Sequence, residues 1–195
     1  MEEKNITEQE SLAIIQEMMN RTKEQLFDSS NLFLLWGIAA FICTITQYFL
    51  IKANVQDSEA VWIAMPIIAI IHIYVVVKES KKIKIKTFDG NAISALWTAI
   101  GFAFCCIPFI APSAKANIIP FIILLYGIGT YVTGKIIEFK PLIFGGISCF
   151  VLVICITFIK NENRLLILAF ALLVSYIIPG ILLKRQFSKQ QNITR

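Results

Sequence analysis

Gly129, Gly134 and Lys135 stand in the order G-x4-G-K within GIGTYVTGKIIEFKPLIFGG, residues 127–146. That spacing is the one a phosphate-binding loop uses, up to the residue after the lysine. In such a loop, backbone N–H groups cradle phosphates at a strand-to-helix turn, and a Ser or Thr hydroxyl after the lysine holds magnesium. Here Ile136 occupies the hydroxyl position, the stretch lies in or beside an apolar run, and no strand pattern precedes it. Nucleotide chemistry therefore fails on three counts. The other reactive groups are few. His72 is the only histidine, and the five cysteines, Cys43, Cys105, Cys106, Cys149 and Cys155, all fall inside apolar runs with no CxxC pair. Neither a zinc site nor a disulfide framework can be assembled from that set, and each cysteine reads as a small apolar residue. There is no nucleophile–base pair, metal set or acidic dyad, so the chain reads as a non-enzyme with no metal and no cofactor. The candidate polar groups within the apolar runs are His72 and Gln47. Ionisable groups held in hydrocarbon ordinarily point to transport or proton transfer. A lone neutral histidine can instead hydrogen-bond to a hydroxyl or carbonyl of another helix, and Gln47 reads the same way. Thr44, Thr46, Thr98, Thr130, Thr133 and Ser175 can all bond to their own helix carbonyls.

The elements that must position these residues follow from composition. Of 195 residues, 57% are hydrophobic and only 16% charged, and the mean hydropathy is +0.72. A soluble globule carries about 25% charged residues, so this chain is suited to lipid. A helix crosses the hydrocarbon layer with about 20 apolar residues, and runs of that kind lie at 32–51, 60–77, 91–111, 117–137, 141–159 and 165–183. The runs are continuously apolar, without the alternation of a barrel strand. The expected fold class is all-α: a polytopic membrane helix bundle of about six transmembrane helices over 32–183. A cytoplasmic segment, 1–31, with an amphipathic helix precedes it, and a basic tail, 184–195, follows. The first thirty residues are polar and acidic, so the first span is expected to serve as an uncleaved signal anchor.

Charge sets the orientation. Fourteen of the eighteen Lys and Arg fall in 1–31, the loop after the second run, the turn after the fourth, and the tail; only Lys52, Lys115, Lys160 and Arg164 lie on the other side. Basic loops stay cytoplasmic during insertion, so both termini are expected in the cytoplasm. The net charge of +5 is thereby accounted for as topology, with no nucleic-acid partner.

With phosphate binding set aside, the opening stretch reads as packing surface. Gly127, Thr130 and Gly134 line one face of the fourth helix, and Gly145, Gly146 and Cys149 one face of the fifth. Small residues allow the close backbone approach by which membrane helices associate. Gly134 and Gly145 are about equally far from the turn Glu138-Phe139-Lys140-Pro141, so they are expected to meet at one depth, with Pro141 opening the fifth helix. Lys135 is expected to snorkel to the interface or to pair with Glu138. The alternative is a hinge or an unwound segment around a substrate. Pro66, Pro120 and Pro179 each fall within a run and are expected to kink it. With Trp36 and Trp97 they hint at three related hairpins, although the Trp-to-Pro spacing is 30 in one case and 23 in the other.

The outward loops, 52–59, 112–116 and 160–164, are too short for an external ligand-binding domain. The cytoplasmic side is richer. Thr7 and Glu10 form a capping box, and Leu12, Ile15, Met19, Thr22 and Leu26 recur at coiled-coil spacing over a helix at 8–27. Residues 1–31 carry seven acidic and three basic side chains. An anionic leaflet repels that balance, so the stripe is expected to face a cytoplasmic protein, a second copy in a homo-oligomer, or the lysine-rich loop KESKKIKIK at 78–86. Lys78, Lys81, Lys82, Lys84 and Lys86 are alternatively a site for anionic lipid.

ESLAIIQEMM at 10–19, LLWG at 34–37, the glycine-rich stretch at 127–146 and YIIPG at 176–180 together resemble a family of uncharacterised bacterial multi-pass integral membrane proteins. The resemblance covers nearly the whole chain and rests on packing and turn motifs. It implies a bacterial plasma (inner) membrane location and no transferable catalytic or binding residues. Two functions fit these features: a non-enzymatic interaction or regulatory protein using its amino-terminal helix, or a small transporter or channel subunit for an apolar or uncharged solute. The second expects His72, Gln47 and the Gly127–Gly146 hairpin to face a central cavity.

Overall fold

A computed structural model describes Leu12, Ile14 and residues 33–80, 88–114, 117–159 and 163–193. Every regular element among the described residues is helical. Helix α1 is Phe33–Lys52. After a turn in which Asn54 and Asp57 adopt left-handed backbone, a 3-10 turn, Ser58–Ile63, leads into α2, Ala64–Ser80. There follow α3, Phe88–Ala114, α4, Ile119–Ile136, and α5, Lys140–Ile156. The last rod consists of α6, Asn163–Leu172, a π-turn, Leu173–Ile177, and α7, Ile178–Ile193, so helix continues into the basic tail. Among the described residues four helices are long and apolar enough to cross a membrane: Phe33–Lys52, Gly90–Ile107, Ile119–Ile136 and Asn163–Gln186. Ser58–Tyr74 and Lys140–Ile156 are shorter apolar helices.

Proline chemistry sets several boundaries. Pro141 falls in the first turn of α5, and Pro120 in the first turn of α4. Pro66 is the third residue of α2, because the 3-10 turn takes up the residues before Ala64. In a first turn the missing N–H has no intrahelical partner to lose. The kinks expected at Pro66 and Pro120 are therefore replaced by helix starts. Of these three, Pro179 alone is interior, within the last rod. It has no N–H to return to the preceding turn, and immediately before it the chain opens from α to π over Leu173–Ile177.

The turn between α4 and α5 is closed by backbone bonds. Phe139 N–H donates to the Gly134 carbonyl at 2.9 Å and Glu138 N–H to the Lys135 carbonyl at 3.4 Å. This is the paired 6→1 and 5→2 pattern of a Schellman ending. Its left-handed residue is Glu138, at φ 54°, where glycine is usual. Phe139 folds back into a buried cluster with Ile93, Ile137, Leu142 and Leu183. The second cluster joins α1, α4, α5 and the last rod through Ala40, Ile123, Cys149, Ile156, Leu168, Ala171 and Leu172.

Among the described residues, α2 stands apart: none of its Cα atoms comes within 8 Å of one in α3 to α7. Ile67, Ile70, Ile71, Ile73 and Tyr74 of α2 are exposed, as are Phe102 and Phe109 of α3. In the amino-terminal segment Leu12 and Ile14 are helical and exposed. Thr7, Glu10, Ile15, Met19, Thr22 and Leu26 lie outside the described residues, as do Lys81, Lys82, Lys84, Lys86 and the side chain of Lys78.

Candidate functional site

The polar groups of the apolar segments are organised by tryptophan. Trp36 on α1 donates its indole N–H to Nδ1 of His72 on α2, at 3.1 Å. Trp62, in the 3-10 turn, donates to Oε1 of Gln47 on α1, at 2.7 Å. Trp97 on α3 donates to Oγ1 of Thr133 on α4, at 3.1 Å. These are all the tryptophans of the chain. Indole N–H is a donor only, and inside an apolar bundle it must find an acceptor or remain unpaired at a cost of about 1–3 kcal/mol. Each tryptophan thus fixes one polar side chain of a neighbouring segment. Because His72 accepts at Nδ1, its ring is neutral at that atom and carries its proton on Nε2.

The hydroxyls divide accordingly. Thr44, Thr98 and Ser175 donate to the carbonyl four residues back, at 2.7 Å each, and Thr130 does the same to Tyr126. Thr133 is the exception: it accepts from Trp97 while 1% exposed. Trp62 as a donor was not foreseeable from composition. Nor were the other two pairs: donor and acceptor are 36 residues apart in both Trp36–His72 and Trp97–Thr133, a separation that marks no contact until the helices are placed.

The glycines of residues 127–146 make the closest helix contacts. A Cβ on Gly146 would lie 2.6 Å from Cβ and 2.7 Å from the backbone N of Tyr131. One on Gly134 would lie 2.7 Å from the backbone N of Ile143, and one on Gly127 2.9 Å from Cβ of Cys149. Gly145 faces another element: its added Cβ would meet Ser175 Cα at 2.8 Å and the Val174 carbonyl oxygen at 2.9 Å, both in the π-turn. Gly134 and Gly145 therefore do not meet one another, as their equal distance from the turn implied. Two adjacent glycines on a helix point about 100° apart, so Gly146 serves α4 while Gly145 serves the last rod. Thr130 completes the α4 face, fully buried. Gly129, on the opposite side of α4, receives the Trp97 ring, at 2.7 Å from an added Cβ.

An aromatic cluster gathers at the π-turn. Phe33 stacks on Tyr176 with ring centroids 4.1 Å apart, Trp97 meets both edge-on, and Tyr126 meets Tyr176 edge-on at 5.1 Å. Gly37 on α1 gives Tyr176 its room, since a Cβ there would lie 2.9 Å from that of Tyr176. Elements α1, α3, α4 and the last rod thus share one junction. Among the described residues no three of His, Cys, Asp and Glu come together as metal ligands. Cys43 and Cys149 are buried, Cys105, Cys106 and Cys155 exposed, and all five are free thiols. Lys135 is exposed, with Nζ 5.9 Å from the centroid of the Tyr131 ring. No protein-family model, curated protein or solved structure matches the chain.

Proposed function

We propose that the chain is a six-span protein of a bacterial plasma membrane, with both termini cytoplasmic, and that it works by binding a protein partner through its amino-terminal helix. One observation carries the choice of interaction over transport. The polar groups that a solute path would need, His72, Gln47 and Thr133, each accept an indole N–H, and the hairpin glycines are covered by neighbouring atoms within 3 Å of an added Cβ. A passage needs such groups open to solute. Leu12, on the expected partner-facing stripe, is exposed, which is consistent with a surface awaiting a partner. The six-span count is supported by α5, whose 17 residues reach about 25 Å at 1.5 Å per residue, a small mismatch to a hydrocarbon layer of about 30 Å. Orientation rests on the basic residues that the sequence places on one side.

The test uses the full chain in its own membrane. Cross-linking followed by affinity capture is expected to recover a defined partner, and Leu12→Asp with Ile15→Asp to abolish recovery while leaving the protein in the membrane. A cross-link between cysteines introduced at positions 16 and 82 would identify the lysine loop as the occupant, and one between two copies a homo-oligomer. Solute flux in proteoliposomes of the purified chain, blocked by substitution of His72 or Gln47, would overturn the reading in favour of a transporter.

A further inference from the structure

His72 is the only acceptor in the three indole pairs that can be switched off by a proton. A hydroxyl or an amide oxygen accepts at any physiological pH, whereas an imidazolium donates from both nitrogens and accepts at neither. The bond from Trp36 Nε1 to His72 Nδ1, at 3.1 Å, is therefore conditional, and those to Gln47 and Thr133 are not.

The place of this bond in the fold gives the condition a consequence. The start of α2 is held by several contacts: Trp62 bonds to Gln47, Cys43 Sγ donates to the Val61 carbonyl, and Trp62 and Met65 pack on the core cluster. Two turns further on, α2 meets α1 through His72, whose ring lies edge-on to Trp36 with centroids 5.9 Å apart. Beyond it Ile73 and Tyr74 are exposed, and among the described residues no Cα atom of α3 to α7 comes within 8 Å of one in α2. One end of the helix is anchored and the other is latched.

We infer that His72 is a proton-controlled latch: protonation breaks the Trp36 bond and frees the distal half of α2 from α1. Among the described residues near the Trp36 bond, the imidazole is the group that answers to pH. The titratable side chains on α1 are Cys43, Tyr48 and Lys52, two turns or more beyond Trp36. Cys43 is engaged with Val61, and Lys52 lies 5.8 Å from the Tyr48 ring centroid. On α2 itself, Tyr74 is exposed and the first charged residues are Lys78 and Glu79. The 3-10 turn contributes Glu59, three turns or more before His72.

Indole ¹H–¹⁵N signals of the full chain in nanodiscs test the idea without altering the bundle, because there is one signal per tryptophan. Trp36→Phe assigns its signal by loss. Across the range from about pH 8 to about pH 4.5, which brackets the ordinary imidazole value of about 6.5, the Trp36 signal is expected to titrate while those of Trp62 and Trp97 hold still. His72→Gln keeps an acceptor and should hold the Trp36 signal constant. Amide exchange in α2, corrected for the intrinsic pH dependence, should rise several-fold relative to α4 as the imidazole protonates. A Trp36 signal that does not move in the native chain, or moves together with the other two, overturns the inference whatever the variant does. A titrating Trp36 with unchanged α2 protection overturns the release.

Discussion

The hairpin of α4 and α5 and the pairing of α1 with α2 join helices of nearly equal apolarity by opposite means. Between α4 and α5 the contact is backbone to backbone through Gly134 and Gly146. Between α1 and the segment leading into α2 it is a set of side-chain hydrogen bonds, Trp36 to His72 and Trp62 to Gln47. The first depends on having no side chain and yields dispersion over a whole face. The second depends on long side chains that reach across a gap, and leaves much of α2 exposed. A glycine seam cannot be adjusted without breaking it, whereas an indole bond can be made and lost one at a time.

The sharpest way to break this contrast is Gly146→Ala. The new Cβ meets the backbone N and Cα of Tyr131 at 2.7 and 2.8 Å, so no rotamer change relieves it and the helices must separate. Overpacking of this kind costs about 3 kcal/mol, read as loss of the folded fraction in a denaturing-detergent titration. The matched control is Gly101→Ala, where an added Cβ meets nothing within 4 Å; there a change of under about 1 kcal/mol, in the stabilising direction, is expected from helix propensity. Equal effects at the two glycines would show that the seam does not hold the hairpin. Gln47→Leu is next in size. It strands the Trp62 N–H and should cost about 1 kcal/mol, with faster amide exchange in the 3-10 turn and α2 and none in α4 or α5. Global destabilisation from this change would erase the distinction between the two regions. The smallest effect has the opposite sign. Glu138→Gly removes a left-handed non-glycine residue, at φ 54°, from a turn otherwise complete, and should stabilise the hairpin by up to about 1 kcal/mol.

Parts of this arrangement were legible in the sequence. The turn at 138–141 was, because Pro141 is well suited to the first turn of a helix and the apolar runs on either side leave three residues between them. The glycines were legible as contact residues, since small side chains at three- and four-residue spacing have little other use in an apolar helix. Their partners were not. Gly145 turns to Val174 and Ser175 instead of Gly134, because that depends on where the last rod and its π-turn lie. His72 and Gln47 were recognisable as polar groups needing partners. That the partners are tryptophans required knowing which segments lie side by side.

The sequence by itself determined that the chain is helical and apolar, roughly where the helices begin and end, and which few residues are too small or too polar to be ignored. Those properties are local: run length, a proline in a first turn, a glycine with no side chain. The tertiary structure alone decided the rotation and depth of each helix, and hence which indole reaches which acceptor. A helix that is apolar all round carries no stripe to orient it. Its rotation is fixed by the few neighbours that fit closest, and those become neighbours only when the bundle is assembled.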